Sequence, residues 1–376
     1  MEPTVTPVSR APLSEGFDGV SPVVRPFGVY VHIPFCARRC DYCAFATWTD
    51  KGHLVDAYLD AVRAEIAVAV DEGLSAATSV FFGGGTPSMV PAEGLMAVLA
   101  TIPRIADAEV TVECNPDTVS DDLLAAYRAG GVNRLSFGVQ SLVDHVLVGL
   151  GRSHDVANVE RAVQSARRTG FDSFNLDLIY GGAGESDADW QATLDRLLEL
   201  NPPHVSAYAL TVEAGTPLAA DATRHPDDDD QADKYLMAEA VLGAAGYEWY
   251  EISNWAQPGH RCQHNLLYWR QGDYRGFGCA AHSHRAGRRW WNLRTPDRYV
   301  DAVIAGQSAE GGFEQLDDEA RRIEGLQLAL RMVDGVPEGA LAVDPDLDHL
   351  VERLEARARL TVAGRLLANE VAIRLR

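Results

Sequence analysis

From residue 27 to residue 225, short apolar runs alternate with longer segments whose apolar side chains recur every three or four positions. The first run covers residues 29–33, and the segment after it places Leu59, Val62 and Ile66 at helical spacing. Short apolar runs are typical of buried strands, and a period near 3.6 is typical of amphipathic helices. The pattern therefore predicts strands and helices in alternation.

Six strand–helix units are predicted in this way. The predicted strands cover residues 29–33, 78–82, 110–113, 134–139, 173–179 and 204–210, and the five predicted helices between them cover residues 54–74, 91–101, 121–128, 155–169 and 187–200. Such alternation is typical of a parallel sheet with crossover helices. Polar residues stand at the carboxyl ends of successive strands, where α/β barrels carry their functional groups.

The pattern changes after Pro226, where an acidic run at 227–230 precedes a predicted helix at 231–245. An aromatic and histidine-rich segment follows. Beyond about Leu316 the chain turns helical and ends in a small helix-and-strand unit at 347–375. We predict four regions: a disordered tail 1–26, a barrel 27–225, a barrel extension 226–315 and a C-terminal domain 316–376.

Composition excludes several classes of protein. The net charge of −21 over 376 residues argues against nucleic-acid binding, which needs a basic surface. No run approaches the roughly 18–20 apolar residues of a membrane-spanning helix, and the first 26 residues lack the basic start and apolar stretch of a signal peptide. Six cysteines in so long a chain, three of them clustered, do not describe a disulfide scaffold. We therefore expect a reducing, cytoplasmic location.

The clustered cysteines follow the first predicted strand. Cys36, Cys40 and Cys43 have the spacing C-x₃-C-x₂-C. Thiolates are the usual ligands of iron–sulfur clusters, and a short loop can wrap one corner of a cubane. Arg38 and Arg39 lie between the cysteines and should favour the thiolate form. Three thiolates would leave the fourth iron open for another ligand.

Spacing alone leaves two alternatives. The cysteines could be ordinary buried thiols, or half of a zinc site. Structural zinc sites usually pair C-x₂₋₄-C with a second ligand pair further along the chain, and His53 is the available candidate. A dense triple is unusual for zinc, so the spacing favours an iron–sulfur cluster.

The cysteine spacing, with Tyr42 before the last cysteine, resembles the signature of radical S-adenosylmethionine (SAM) enzymes. The wider string from Tyr30 to Cys43 resembles the oxygen-independent coproporphyrinogen III oxidase superfamily. This resemblance implies a 4Fe–4S cluster whose open iron is chelated by SAM, with Tyr42 among the cofactor-binding residues. It also implies an α/β fold: an open, six-unit partial β/α barrel with a smaller C-terminal helical, winged-helix-like domain.

A glycine-rich turn at 83–87 follows the second predicted strand. Glycines let backbone N–H groups approach a ligand closely, but an isolated glycine-rich turn is more often only a turn. Its position after the cysteine loop resembles the family's GGGTP motif. That resemblance implies that Gly84, Gly85 and Thr86 contact the amino group of SAM.

Four strand-end residues match the same family in order: Glu113, Gln140, Arg152 and Asp177. A carboxylate can accept both hydroxyls of a ribose, and an arginine offers a fork to a carboxylate. In the related oxidases these positions divide between two SAM molecules, so the resemblance implies that Tyr30 and Glu113 face the second. Whether two SAM molecules bind to this protein stays open.

One departure from the oxidase pattern separates this chain from the characterised oxidases. The oxidases carry a fourth cysteine two residues past the third, and this chain has Phe45 there. The change removes no cluster ligand, because three cysteines suffice. A smaller departure is the loop 181–186, where relatives tend to have Leu-Pro-Gly-Gln. Cys114, directly after Glu113, is interpreted as a core thiol.

The motif His264-Asn-Leu-Leu-Tyr268-Trp269 is the second informative stretch. Neutral imidazole is a common axial ligand of haem iron, and aromatic rings can stack on a porphyrin. By chemistry alone, a buried histidine held in a turn is the more common case. The string resembles the H-N-x-x-Y-W motif of the haem-chaperone (HemW-type) branch of the superfamily, in which Phe45 is also expected.

The resemblance implies a haem chaperone that binds haem near His264 and passes it to acceptor proteins, membrane-bound respiratory proteins among them. His32, His260, His282 and His284 remain alternative ligand candidates. It implies a cytoplasmic location with peripheral membrane contact, and it assigns no catalytic residue. Two alternatives remain: oxidative decarboxylation of coproporphyrinogen III, against which Phe45 argues, and radical SAM chemistry on another substrate. Whether the protein is an enzyme stays undecided at this point.

Overall fold

The computed structural model describes residues 25–342 and 344–376. The predicted disordered tail, residues 1–26, therefore lies outside the described residues except for its last two. The strands are β1 (Phe27–Ile33), β2 (Ala77–Gly84), β3 (Arg104–Cys114), β4 (Arg134–Gln140), β5 (Ser173–Tyr180), β6 (His204–Ala209), β7 (Glu248–Glu251), β8 (Asn254–Ala256), β9 (Asp273–Phe277), β10 (His282–Arg285), β11 (Arg288–Asn292), β12 (Glu310–Gln315), β13 (Val336–Pro337), β14 (Val351–Leu354) and β15 (Arg357–Leu360).

The α-helices lie between these strands. They are α1 (Val55–Asp71), α2 (Ala92–Thr101), α3 (Asp121–Gly130), α4 (Asp144–Gly149), α5 (Val156–Arg168), α6 (Asp187–Leu200), α7 (Asp228–Ala244), α8 (Gln263–Trp269), α9 (Pro296–Ile304), α10 (Asp318–Leu330), α11 (Val362–Leu366) and α12 (Ala368–Ala372). None of the helices in the described ranges is both long and apolar enough to cross a bilayer.

One large sheet carries most of the strands, in the order β12-β11-β10-β9-β1-β2-β3-β4-β5-β6-β8-β7. The seven neighbours from β9 through β1 to β6 pair in parallel. The edge strands pair antiparallel on both sides. The first and last parallel strands do not pair with each other, so the barrel is open, as the resemblance implied.

Alternation along the strands creates two different faces. In β1, Val29 and Val31 are fully buried against the helices, while Tyr30 and His32 lie on the opposite, inward face. Successive side chains of a strand point to opposite faces. The outward set forms the main apolar core with the helices, and the inward set is largely polar. The interior of the barrel is therefore available for binding.

Local sequence explains where several helices begin. The side chain of Ser120 accepts a hydrogen bond from the backbone N–H of Leu123 at the start of α3. Capping boxes open α5, at Asp155, and α6, at Ser186. Such caps satisfy backbone donors that the first helical turn leaves free. Helix α7 begins three residues earlier than predicted, because Asp227 caps it and acids are favourable in the first turn.

The predicted barrel extension, residues 226–315, divides between the two edges of the sheet. Strands β7 and β8 extend the edge next to β6, and β9–β12 extend the edge next to β1. Buried Glu65 of α1 helps to hold the second group, because its carboxylate accepts hydrogen bonds from Tyr299 (2.6 Å) and Asn292 (2.9 Å). The domain boundaries at 226 and 316 stay predictions.

The C-terminal unit has a core and a sheet of its own, with strand order β13-β15-β14. Arg365 joins it to helix α7 through two hydrogen bonds to Glu239, of 2.7 and 2.8 Å. The same guanidinium lies over the Trp249 ring, 4.1 Å from its centroid. A small unit that packs against the barrel is the arrangement that the resemblance implied.

Candidate functional site

The cysteine loop emerges from the carboxyl end of β1. Cys36, Cys40 and Cys43 are free and half-buried, and their side chains line one cavity of about 490 Å³, which we call the first cavity. The loop is closed at its base, where the Cys36 N–H donates to the Trp48 carbonyl (3.1 Å) and the Trp48 N–H to the Pro34 carbonyl (2.7 Å).

Two polar side chains reach the cysteine sulfurs. The Arg152 guanidinium donates to Cys40 Sγ at 3.2 Å, and the Thr86 hydroxyl donates to Cys36 Sγ at 3.7 Å. Burial raises the pKa values of Cys36 and Cys43. These thiols are therefore protonated without metal, and cluster assembly must release protons.

The residues fit an iron–sulfur cluster. Three free thiols face one cavity, and a guanidinium beside them offsets negative charge. Among the described residues, no three His, Cys, Asp or Glu side chains surround a single metal-ion position. Each cysteine can instead supply one iron of a cubane. His53, the alternative zinc ligand, is exposed and does not line the first cavity.

The glycine-rich turn is bound directly to the cysteine loop. The Gly85 N–H donates to the Ile33 carbonyl (2.7 Å), and the Thr86 N–H donates to the Phe35 carbonyl (2.8 Å). Gly84 has a φ of 114°, and a Cβ there would lie 2.4 Å from the His32 ring. Only glycine tolerates this conformation and this contact. The turn and the cluster loop therefore form one wall of the first cavity.

The predicted strand-end residues meet at this cavity. Gly84, Gly85, Thr86, Glu113, Gln140, Arg152 and Asp177 all line it, together with Tyr42. Asp177 accepts hydrogen bonds from Ser136 (3.0 Å) and Asn175 (2.7 Å). Gln140 has a φ of 70°, a left-handed conformation that is uncommon outside glycine. The carboxyl ends of parallel strands meet at one edge, which is why residues far apart in sequence converge here.

Glu113 lies between the two parts of the site. Its carboxylate accepts the Gly84 N–H at 3.0 Å. Burial, with a smaller contribution from the charge of Asp177, raises the pKa of Glu113 to about 8. This carboxyl group is therefore mostly protonated at neutral pH and can donate as well as accept a hydrogen bond.

Tyr30 lies on a different cavity from most of these residues. This second cavity has a volume of about 640 Å³ and shares Ala44, Phe45, Gly84 and Glu113 with the first. The Tyr30 hydroxyl is hydrogen-bonded to His32 Nδ1 at 3.0 Å. The assignment of Tyr30 and Glu113 to a second SAM stays a prediction, and both residues do face the second space.

Sequence reasoning missed several lining residues. Asn115, Ser136, Gly138 and Tyr208 also line the first cavity. Gly138 and Ser136 lie two and four residues before Gln140 in β4, and they line the same cavity. Alternation along β4 could have pointed to these two residues, since alternate residues of a strand share a face.

His264 does not line the first cavity, and it lies beside the first half of β2. It is buried, with Ser79 Oγ 2.9 Å from Nδ1 and the Tyr268 hydroxyl 2.8 Å from Nε2. Its ring stacks on Phe81, with centroids 5.3 Å apart. Glu109 holds the first turn of helix α8, because its carboxylate accepts the His264 N–H at 2.9 Å. The helix packs against β1 and β2.

Both ring nitrogens of His264 are therefore already paired with protein groups. Burial, with a smaller contribution from Arg134, lowers the pKa of His264 to about 3, so the ring is neutral. An iron atom could bind only if one of the two hydrogen bonds were broken. The role of His264 as a haem ligand stays a prediction, and the contacts support the alternative of a structural histidine.

We expect His264→Ala to destabilise the fold. The substitution leaves the buried hydroxyls of Ser79 and Tyr268 without their hydrogen-bond partner and creates a cavity. It should lower the free energy of unfolding by about 2–5 kcal/mol. Urea denaturation followed by circular dichroism measures it. His349→Ala, at an exposed histidine, serves as the control and should leave the midpoint unchanged. Equal midpoints for the two variants would contradict a structural role.

Comparisons with known proteins agree with this geometry. A family model described as the radical SAM superfamily matches residues 30–197. The chain is 41% identical over 378 residues to a protein named heme chaperone HemW from Mycobacterium tuberculosis (strain CDC 1551 / Oshkosh), covering 94% of this chain and 96% of the relative. It is 42% identical over 264 residues to heme chaperone HemW from Escherichia coli (strain K12), covering 68% and 70%.

A solved structure extends the similarity to the whole fold. Coproporphyrinogen III oxidase (HemN) from Escherichia coli, described as a radical SAM enzyme, superposes with a TM-score of 0.81 at 26% identity, covering 93% of this chain and 89% of that one. The chain belongs to the HemW family of the radical SAM superfamily.

Proposed function

We propose that this protein is a haem chaperone, which binds haem and transfers it to acceptor proteins, and that it carries a 4Fe–4S cluster and SAM. The observation that carries the proposal is the 41% identity to a heme chaperone HemW over almost the full length of both chains. Similarity of that extent covers the barrel, the H-N-x-x-Y-W segment and the C-terminal unit together.

The first cavity contains the groups that the two cofactors require. Cys36, Cys40 and Cys43 would hold the cluster, which supplies one-electron chemistry and an open iron when bound. The backbone of Gly84 and Gly85 would bind the amino group of SAM, and Asp177 would bind its ribose. Arg152 would orient the SAM carboxylate while it remains beside Cys40.

A coproporphyrinogen III oxidase is the second candidate, since the HemN structure is similar over 93% of this chain. Phe45 argues against it. The Phe45 side chain is 64% exposed and lines both cavities, at the position where the oxidase pattern has its fourth cysteine. The site therefore lacks a thiol of the oxidase pattern and presents an aromatic surface instead.

Haem-accepting proteins are the partners we propose, because a chaperone must pass its cargo on. Respiratory membrane proteins are the acceptors to test first, with peripheral contact to the membrane during transfer. The exposed ring of Phe45 gives such a partner an apolar contact at the mouth of the cavities.

Anaerobically purified protein should give a Soret band on titration with haemin, saturating near one haem per chain. The same protein, with reduced cluster and added SAM, should not convert coproporphyrinogen III. Absorption spectroscopy measures the first result, and chromatography of the porphyrins measures the second. Turnover of coproporphyrinogen at a rate typical of enzymes, of order 1 per second or more, would favour the oxidase over the chaperone.

A further inference from the structure

The second cavity is large, open to solvent and next to the cluster site. Its volume of about 640 Å³ falls within the roughly 300–1,000 Å³ typical of small-molecule pockets. Rings and apolar side chains form much of its wall, including Phe45, Tyr268, Tyr274 and Leu328. Tyr268 also belongs to the H-N-x-x-Y-W motif, so the motif reaches this cavity through its tyrosine while His264 lies outside the lining.

Three histidines line the second cavity, and two are fully engaged. His32 is hydrogen-bonded through Nδ1 to the Tyr30 hydroxyl (3.0 Å) and through Nε2 to the Ala46 carbonyl (2.8 Å). His284 is bonded through Nδ1 to the Gly272 carbonyl (2.9 Å), and its Nε2 accepts the Gly287 N–H (3.1 Å). Neither ring has a nitrogen left for a metal.

His282 differs from both. It is exposed, and within residues 25–342 and 344–376 no hydrogen-bond partner meets either ring nitrogen. Its ring lies beside Trp291, with centroids 5.7 Å apart, which limits its orientation. Partial burial and the nearby Arg289 lower the pKa of His282. At neutral pH the ring is therefore neutral, the form that ligates iron.

The tyrosines of the cavity are poorer ligands. A tyrosine binds haem iron as the phenolate, and burial raises the pKa values of Tyr30, Tyr268 and Tyr274. The hydroxyls of Tyr30 and Tyr268 are also bonded to histidines. Among these candidates an imidazole remains the available axial ligand.

The charges of the cavity suit a ligand with carboxylates. Arg294 is exposed and has no hydrogen-bond or ion-pair partner in the described part of the chain. Arg289 is already held by Glu314 (2.7 Å) and Glu324. Of the acidic groups, Glu324 is thereby neutralised and Glu113 is mostly protonated at neutral pH. The guanidinium of Arg294 is left for an anion.

We propose that the second cavity is the haem site, with His282 as the axial ligand of the iron, Arg294 paired with a propionate and Phe45 against the porphyrin. The inference rests on the proposed function and makes it specific. It moves the ligand from His264, whose contacts are structural, to a histidine 18 residues later. It also brings haem beside the cluster site, since Phe45 lines both cavities.

The test titrates haemin into the full-length protein and four variants, followed by absorption spectroscopy. His282→Ala should shift the Soret band and weaken affinity about tenfold or more, a loss of about 1.4 kcal/mol or more. Free imidazole should restore the band, because it can occupy the vacated position on the iron. His349→Ala, at an exposed histidine of the C-terminal unit, should bind as the wild type does.

Arg294 is tested with a matched pair of ligands. Arg294→Ala should weaken binding of haemin several-fold but leave binding of haemin dimethyl ester unchanged, because the ester has no charged propionate. Arg294→Lys should retain most of the affinity. Iron content measured in parallel shows whether any variant has lost its cluster, and circular dichroism shows whether it is folded.

The possible outcomes distinguish a failure of this haem-site inference from a failure of the proposed chaperone function. No Soret band with the wild type would overturn the proposed function itself. A wild type that binds haemin, with a His282→Ala variant of unaltered spectrum and affinity, would overturn the ligand assignment and leave the chaperone function standing. Equal losses for both porphyrins in Arg294→Ala would contradict the propionate contact.

Discussion

Replacing Cys36, Cys40 or Cys43 by alanine should abolish the cluster, whereas anaerobically reconstituted wild-type protein should hold about four irons per chain. Each thiolate ligates a different iron, so the loss of one leaves two irons with open positions. The nearby polar groups are poor substitutes: the Arg152 guanidinium has no lone pair to give, the Thr86 hydroxyl is a neutral oxygen donor, and the Asp41 carboxylate of the loop is paired with Arg224 at 2.9 Å. Iron and sulfide analysis, with the absorption near 400 nm, measures the effect.

The matched controls are the other thiols. Cys262 and Cys279 are buried and line neither cavity, and burial raises the pKa of each to about 12. Their alanine variants should keep the full iron content. A Cys36→Ala/Cys40→Ala double variant that still holds about four irons would show that the cluster ligands are elsewhere.

Gly85→Ala should weaken SAM binding strongly and lower the iron content, although the change adds only one methyl group. The added carbon would lie 2.6 Å from the Phe35 carbonyl oxygen, 2.9 Å from that of Ile33 and 3.0 Å from Cys36 Sγ. Two of these neighbours are backbone atoms of the cysteine loop, so relief requires the loop to move. Overpacking of this kind costs about 1–3 kcal/mol. The electron paramagnetic resonance spectrum of the reduced cluster should then respond to SAM only at concentrations about tenfold or more above those that the wild type needs.

Gly243→Ala provides the matched control, because it makes the same change in helix α7, where an added Cβ meets nothing within 4 Å. It should stabilise the helix by about 0.5–1 kcal/mol and leave the SAM response intact. If Gly85→Ala responds to SAM as the wild type does, the glycine turn does not determine the geometry of the SAM site.

Much of the barrel could be predicted because its signals are local. The predicted helix 187–200 coincides with α6, whose start is encoded in the Ser186–Asp189 capping box. The predicted strand 134–139 is one residue shorter than β4. The alternation of apolar and polar positions indicates which face of each strand points into the barrel. The polar residues at the strand ends could therefore be expected to meet inside it. The open six-unit barrel and the family membership are confirmed.

The edges of the sheet could not be predicted in the same way. Strand β9 pairs in parallel with β1, which lies about 245 residues earlier in the chain. The short segment Asp273–Phe277 has no apolar run that would identify it as a sheet neighbour. Strand pairing depends on backbone groups that every residue carries, so the choice of partner is not written in the local pattern.

The sequence by itself indicated which cofactors this protein binds, because the cysteine spacing, the glycine-rich turn and the strand-end residues are local patterns. Each of them can be recognised without knowing how the rest of the chain folds. Only the tertiary structure decided which of the histidines that line the second cavity has ring nitrogens unpaired within the described part of the chain. His264 stood out in the sequence, yet Ser79 and Tyr268 engage both of its nitrogens, whereas His282 carries no motif of its own and faces a cavity. A ring nitrogen can bind iron only if no neighbouring group is hydrogen-bonded to it. Such neighbours can be distant in the sequence, since Ser79, which is hydrogen-bonded to His264, lies 185 residues away.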